Sequence, residues 1–150
     1  MTAYVGRAFR PGVFICGMVL LLVVVVHAQD AGNRTVWDGV YTEAQAQRGG
    51  ALYMKECASC HGEEMQAGAG APSLAGPEFT FGWDKKPLGG LFDFVRANMP
   101  PGQAGSLKDQ AYADILSAIL RRNKFPVSPA SELSSSKSEL DKITLVADKP

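Results

Sequence analysis

Cysteine and histidine are scarce in this chain: among 150 residues there are three of the first and two of the second. A structural zinc site takes four such ligands, so little room is left for one. Charge of a single sign is missing too. Lys+Arg and Asp+Glu each number 15, and with no basic stripe nucleic acid is not an expected partner. The longest apolar run, "VFICGMVLLLVVVV" from Val13 to Val26, falls short of the roughly 20 residues that a spanning helix needs. Strand-like alternation is almost absent and no internal repeat is visible. The length predicts a single domain, and the helical periodicities that remain predict an all-α fold.

What is present begins with an export signal. Arg7 and Arg10 precede the apolar run, and "VHAQD" follows it. A basic start, about 14 apolar residues and a small residue at the end match a secretory signal over residues 1–28. Cleavage is expected after Ala28, with Val26 and Ala28 as the recognition positions; the alternative is a retained membrane anchor. Cleavage removes Cys16 and His27, so Cys57, Cys60 and His61 become the only thiols and imidazole of the exported chain. It also removes Arg7 and Arg10, leaving a slight acidic excess.

Residues 29–40, "QDAGNRTVWDGV", read as a polar leader docked through Trp37. In "YTEAQAQRGGALYMKECASC" Thr42 is placed to cap a helix, with Gln45 at the capping-box position. Gly49, Tyr53 and Cys57 recur every four residues and share one helical face. A helical glycine costs up to about 1 kcal/mol relative to alanine, so Gly49 suggests that another element crosses close to the backbone. From Gly62 to Lys86 glycines and prolines predict a loop, of a length unusual unless it wraps something. Leu88, Leu91, Phe92, Val95 and Met99 then trace a helical stripe that "MPPGQAG" ends. Ser106 is placed to cap a further helix with Tyr112, Ile115, Leu116, Ile119 and Leu120 on one face. Arg121, Arg122 and Lys124 suit its negative end. Residues 127–150 form a Ser-rich tail, whose portion from Leu140 to Val146 is expected to dock as a short segment.

The chemistry lies in "ECASCHGEE", Glu56 to Glu64, where two thiols two residues apart are followed directly by an imidazole. Four readings compete. A thiol–disulfide redox pair usually sits near a βαβ pattern, which this chain lacks. A zinc site is one ligand short unless Glu63 or Glu64 completes it. A plain disulfide gives His61 no task. Covalent haem attachment, the assignment that fits C-x-x-C-H, uses all three: Cys57 and Cys60 each add to one vinyl group of the porphyrin, and His61 is pinned beneath the iron. Ala58 and Ser59 are spacers small enough to lie against the ring.

Such an iron needs a second axial ligand, and with no other histidine the donor is expected to be a methionine. Met54 and Met65 lie too near His61 along the chain to reach the opposite face of the ring, whereas Met99 comes far enough on to cross. Pro100 and Pro101 stiffen the backbone around Met99 and hold it extended. A weak iron–thioether bond benefits from a ligand held in place beforehand. The plain alternative is that Met99 only ends an apolar stripe. Glu63 and Glu64 read as a solvated pair rather than as catalytic groups.

With "CASCHG", "NMPPGQAGSL" and "YADILSAIL" taken together, the chain resembles a class I c-type cytochrome of the bacterial single-haem kind over residues 41–126. The resemblance implies the cytochrome c fold, with three or more helices around one covalently bound haem. It implies first and last helices crossing at right angles, Gly49 and Tyr53 meeting Tyr112 and Leu116 or Ile119. It also implies that the carbonyl of Pro72, in "GAPSL", accepts the free ring N–H of the proximal His61. Trp83, in "FGWD", would either hold a haem propionate or cover the haem edge. Similar "MPPG…GSL" segments occur in the cytochrome modules of quinoprotein alcohol dehydrogenases. The implied role is therefore non-enzymatic: a periplasmic carrier with iron cycling between Fe(II) and Fe(III), taking electrons from a dehydrogenase and passing them to a respiratory acceptor such as a terminal oxidase. The contrasting readings are a haem subunit of a larger dehydrogenase or oxidase complex, and an open-site haem enzyme or gas sensor.

Overall fold

The structure is a computed structural model that describes residues 1–2 and 34–150; the apolar run, Cys16 and the leader up to Asn33 lie outside the described residues. Six helices occur among the described residues: α1 (Glu43–Glu56), α2 (Ala58–His61), α3 (Pro77–Gly82), α4 (Leu88–Asn98), α5 (Asp109–Arg122) and α6 (Lys137–Leu140). Two short strands, β1 (Arg34–Thr35) and β2 (Ile143–Thr144), pair in parallel, Arg34 opposite Ile143 and Thr35 opposite Thr144. No helix among the described residues is long and apolar enough to cross a membrane.

Helix α1 starts where Thr42 predicts: its Oγ1 accepts a hydrogen bond from Gln45 N at 3.1 Å. The capping box does not close, because the Gln45 side chain is used elsewhere. Its Nε2 donates to Leu133 O at 2.9 Å and Asp114 Oδ1 at 3.1 Å, while its Oε1 accepts from Leu133 N at 2.6 Å. The most extensive helix contact is between α1 and α5. At Gly49 the two backbones nearly touch. A Cβ there would sit inside the van der Waals radii of the Asp114 carbonyl and only 3.0 Å from Ile115 N. The α5 atoms nearest to an added Cβ at Gly49 are thus backbone atoms of Asp114 and Ile115.

Helix α5 departs from the one-face expectation, since every residue from Tyr112 to Leu120 is buried. The polar members are satisfied internally: Asp114 accepts from Gln45, from Gln110 and from Arg48, and Ser117 Oγ donates to Ala113 O at 2.9 Å. Ser106 does not cap this helix. The N-cap is Lys108, without a side-chain bond, and Ser106 closes a turn through its N–H on Gln103 O. Lys124 likewise lies past the end of the helix. The long Gly62–Lys86 loop is interrupted by α3, which Pro77 opens from its first turn and which anchors itself through buried Phe79.

Core side chains come from both sides of the 41–126 span. Val36 and Val40 of the leader are buried, as are Leu133, Leu140, Ile143 and Leu145 of the Ser-rich tail. Trp37 docks as a hydrogen-bonded edge: its indole N–H donates to Val146 O at 2.9 Å, and its ring meets Phe125 edge-on at 4.9 Å. Leu133 is buried with its backbone N–H and C=O both bonded by Gln45. Gln45→Ala would leave those two groups without partners, while Asp114 Oδ1 keeps its bonds from Gln110 and Arg48. At about 1–3 kcal/mol for an unmatched buried group, the variant is expected to lose about 2–4 kcal/mol of stability in urea unfolding. A loss below about 0.5 kcal/mol would mean that water replaces the amide.

Candidate haem-attachment site

The chain breaks its helix at Cys57 and immediately winds the single turn α2. That turn is fixed by His61 N–H on Cys57 O at 3.0 Å and Gly62 N–H on Ala58 O at 2.9 Å. It presents three side chains in graded exposure: Cys60 exposed, Cys57 half-buried and His61 buried. Tyr53 locks the turn to α1, its hydroxyl donating to Gly62 O at 2.6 Å. Burial pushes the Tyr53 hydroxyl up to about 12, with help from Cys57, so it stays a donor at neutral pH.

His61 Nδ1 lies 2.8 Å from Pro72 O. A carbonyl only accepts, so Nδ1 carries the proton and Nε2 keeps its lone pair, the tautomer that a metal-binding imidazole needs. Pro72 is in turn held by the loop around it. Leu74 N donates to Met65 O at 2.9 Å, and Ser73 Oγ donates to Ala75 O at 2.7 Å. Asn123, at the C-cap of α5, clamps the same loop by accepting from Gly76 N and donating to Leu74 O, both at 2.9 Å.

The thiols themselves argue against two of the other readings. Burial, then the Glu56 carboxylate and Cys60, push the Cys57 thiol up to about 11. A thiol–disulfide redox centre needs a thiolate to attack, and Cys57 is not poised to supply it. Zinc fares no better, since no group of three or more His, Cys, Asp or Glu side chains converges among the described residues. Glu64 is instead drawn to Arg122 at 2.7 Å in a solvent-facing ion pair.

Met99 is the C-cap of α4, half-buried and extended, as the proline after it requires. Its carbonyl accepts the Tyr112 hydroxyl at 2.9 Å, which ties the methionine to α5. Met65 is buried inside the loop and Met54 is 49% exposed on α1. Trp83 ends α3, with its ring 5.9 Å from that of Phe94 on α4 and Lys86 Nζ 5.1 Å from its centroid. The structure therefore joins His61 to Pro72 and Met99 to Tyr112, and sets Trp83 in a separate aromatic cluster between α3 and α4. A groove of about 550 Å³ lies elsewhere, lined by Tyr53, Met54, Met65, Arg121 and Arg122, and includes neither His61 nor Met99.

Three supporting residues escape a reading of the sequence. Tyr53 and Tyr112 look like apolar face positions, and only tertiary contact shows that each hydroxyl is spent on a backbone carbonyl next to a candidate ligand. Asn123 looks like a helix end; its second task depends on a loop almost fifty residues earlier in the chain.

The donor set suits one group best: paired thiols on a turn, an imidazole with a bare Nε2, and a methionine pinned at the end of the helix that follows. Residues 44–117 match the family model described as Cytochrome C oxidase, cbb3-type, subunit III. No curated protein and no solved structure matches the chain. The matched span takes in α1, the thiol turn, the loop that holds Pro72, α4 with Met99 and most of α5, and by it the chain belongs to the class I c-type cytochromes.

Proposed function

We propose that this protein is a single-haem electron carrier exported to the periplasm, with haem c bound through thioethers at Cys57 and Cys60. In this reading His61 Nε2 and the Met99 sulfur are the groups that would hold the iron. Cytochrome c domains are generally electron carriers rather than enzymes, which supports this reading. When bound, the haem supplies a one-electron couple between ferrous and ferric iron. The observation that carries the reading is the 2.8 Å contact between His61 Nδ1 and Pro72 O, beside two unbridged thiols. It orients the ring and leaves a single nitrogen for a metal.

Each protein group has a defined task. Cys57 and Cys60, presented by the turn α2, would hold the haem through two thioethers. Pro72 O raises the basicity of the imidazole through its N–H. Tyr112 holds the Met99 backbone, so that the thioether loses little freedom on coordination. Trp83 and Phe94 offer apolar surface, and Phe81 does so with 60% of its own area exposed; covered by the haem, such surface would disfavour the extra charge of the ferric form.

The donor in this reading is a periplasmic dehydrogenase of the quinoprotein kind and the acceptor a terminal oxidase. The matched family's description names an oxidase subunit, which supports the second reading: a chain that works while bound to such an oxidase. Co-purification of the tagged protein with an oxidase would favour that reading over a free carrier. The test of the core proposal is expression in a bacterium able to attach haem. The purified chain should carry one haem-sized mass addition and stain for haem on a denaturing gel. Cys57→Ala with Cys60→Ala should abolish the stain completely. A colourless wild-type protein, or a stain that survives the double substitution, would overturn the proposal.

A further inference from the structure

The segment between α3 and α4, Trp83 to Pro87, carries no elements of its own to hold it, and Lys85 sits at φ 58, a left-handed conformation for a residue with a side chain. Such a conformation costs about 1–2 kcal/mol and persists only where the surroundings impose it. Here the C-terminal strand does so. Lys85 N donates to Leu145 O at 2.8 Å, Leu145 N donates to Lys86 O at 3.0 Å, and Ala147 N donates to Asp84 Oδ1 at 2.9 Å. Thr144 bridges to Pro87, the N-cap of α4. Helix α6 seats on the same end of α4 at Gly89, where a Cβ would collide with the Asp141 carboxylate and lie 2.9 Å from Lys137 O. The strand is itself tied down by the leader, through β1 and through Trp37 Nε1 on Val146 O.

We propose that the leader and the C-terminal strand together form a strap that positions α4 along its axis and thereby sets how firmly Met99, at the far end of that helix, is held on the iron. The proposal rests on the Met99 ligation read above. Helix α4 is fixed at its start by the strap and at its end by the Tyr112 hydroxyl on Met99 O. A rigid helix of this length transmits a shift at Pro87 to Met99, and a thioether is the weak ligand that registers it. Trp37, Asp84 and Leu145 are then positioning residues for electron transfer, although none of them reaches the proposed ligands.

The test uses the full holoprotein and exogenous imidazole, which displaces a methionine from ferric haem. Trp37→Phe keeps the ring against Phe125 and removes only the N–H that holds Val146. A second variant ends the chain at Lys142 and removes the strand. Both are expected to bind imidazole about tenfold more tightly than wild type, with a weakened near-infrared methionine-to-iron band and covalent haem intact. Ser117→Ala, which removes a buried hydrogen bond to Ala113 O within α5 and no bond to the leader or the tail, is expected to leave imidazole affinity unchanged. Unchanged affinity in Trp37→Phe overturns the strap, as does an equal gain in Ser117→Ala, which would mark general loosening. If the shortened chain fails to fold, Trp37→Phe alone decides. Absence of any haem spectrum in the wild-type protein would instead defeat the underlying ligation.

Discussion

Gly49→Ala is expected to cost more than about 3 kcal/mol, a large share of the roughly 5–15 kcal/mol that holds a domain folded. Two effects oppose one another. Alanine is the better helix former by up to about 1 kcal/mol, and at an open position it would stabilise α1. At Gly49 the added methyl would fall on the Asp114 carbonyl and within 3.0 Å of Ile115 N. Those are backbone atoms of a helix buried from Tyr112 to Leu120, so they have no rotamer to change and no free space to enter. The helices must separate, and separation strips Gln45 and Arg48 from Asp114 as well. It also moves Tyr53 and the C-cap Cys57, which α1 carries to the candidate attachment turn. Gly50→Ala is the matched control, since a Cβ there meets only the Arg121 guanidinium at 3.7 Å. That variant should be neutral or more stable by up to about 1 kcal/mol. Urea unfolding of both, followed by helical circular dichroism, separates the effects. Equal midpoints for the two variants would mean that α1 and α5 do not cross at Gly49.

The contrast shows which parts of the molecule its sequence announces. Gly49 is legible because a glycine inside a helix is locally costly and must be offset by something nearby. Thr42 is legible as a cap because the rule it obeys spans three residues. The attachment turn is legible for the same reason: Cys57, Cys60 and His61 form one local pattern. Ser106 obeys a similar rule on paper, yet the backbone turns at Gln103 and starts α5 later, at Asp109. Helix α3 was hidden in a stretch whose glycines and prolines read as loop, although Pro77 at its first turn is a helix-start signal in its own right. The 2.8 Å contact of Pro72 with His61 was expected only through family resemblance, since no local rule links positions eleven apart. The chain ends were legible in outline only: Trp37 and the segment from Leu140 to Val146 dock as expected, but the burial of Leu133 and the partners of the tail's backbone were not announced. Docking of the tail depends on Gln45, Lys85, Lys86 and Trp37, residues distant in sequence whose polar groups happen to match its backbone.

Met99→Ala is expected to keep its haem, because the two thioethers and His61 are untouched, and to change nearly everything that the iron reports. The ferric spectrum should turn from low-spin to high-spin, and the near-infrared methionine-to-iron band should vanish. The midpoint potential should fall by on the order of 100 mV, because a thioether favours the ferrous state and axial ligands span about 0.8 V among haem proteins. The direction follows from what replaces the sulfur: water or hydroxide, a harder donor that favours ferric iron. Tyr112→Phe provides the graded counterpart. It removes one hydroxyl, 2.9 Å from Met99 O, a bond worth about 1 kcal/mol. Its potential should therefore fall less, with the band weakened but present. The other two methionines compete poorly for this role: Met65 is buried in the loop beside Gly62 and Leu74, and Met54 sits 49% exposed on α1 upstream of the thiols. A Met99→Ala protein that stays low-spin with its band intact would transfer the role to one of them. It would also remove the reason for Tyr112 to hold Met99 so close to α5, leaving that hydrogen bond as packing alone.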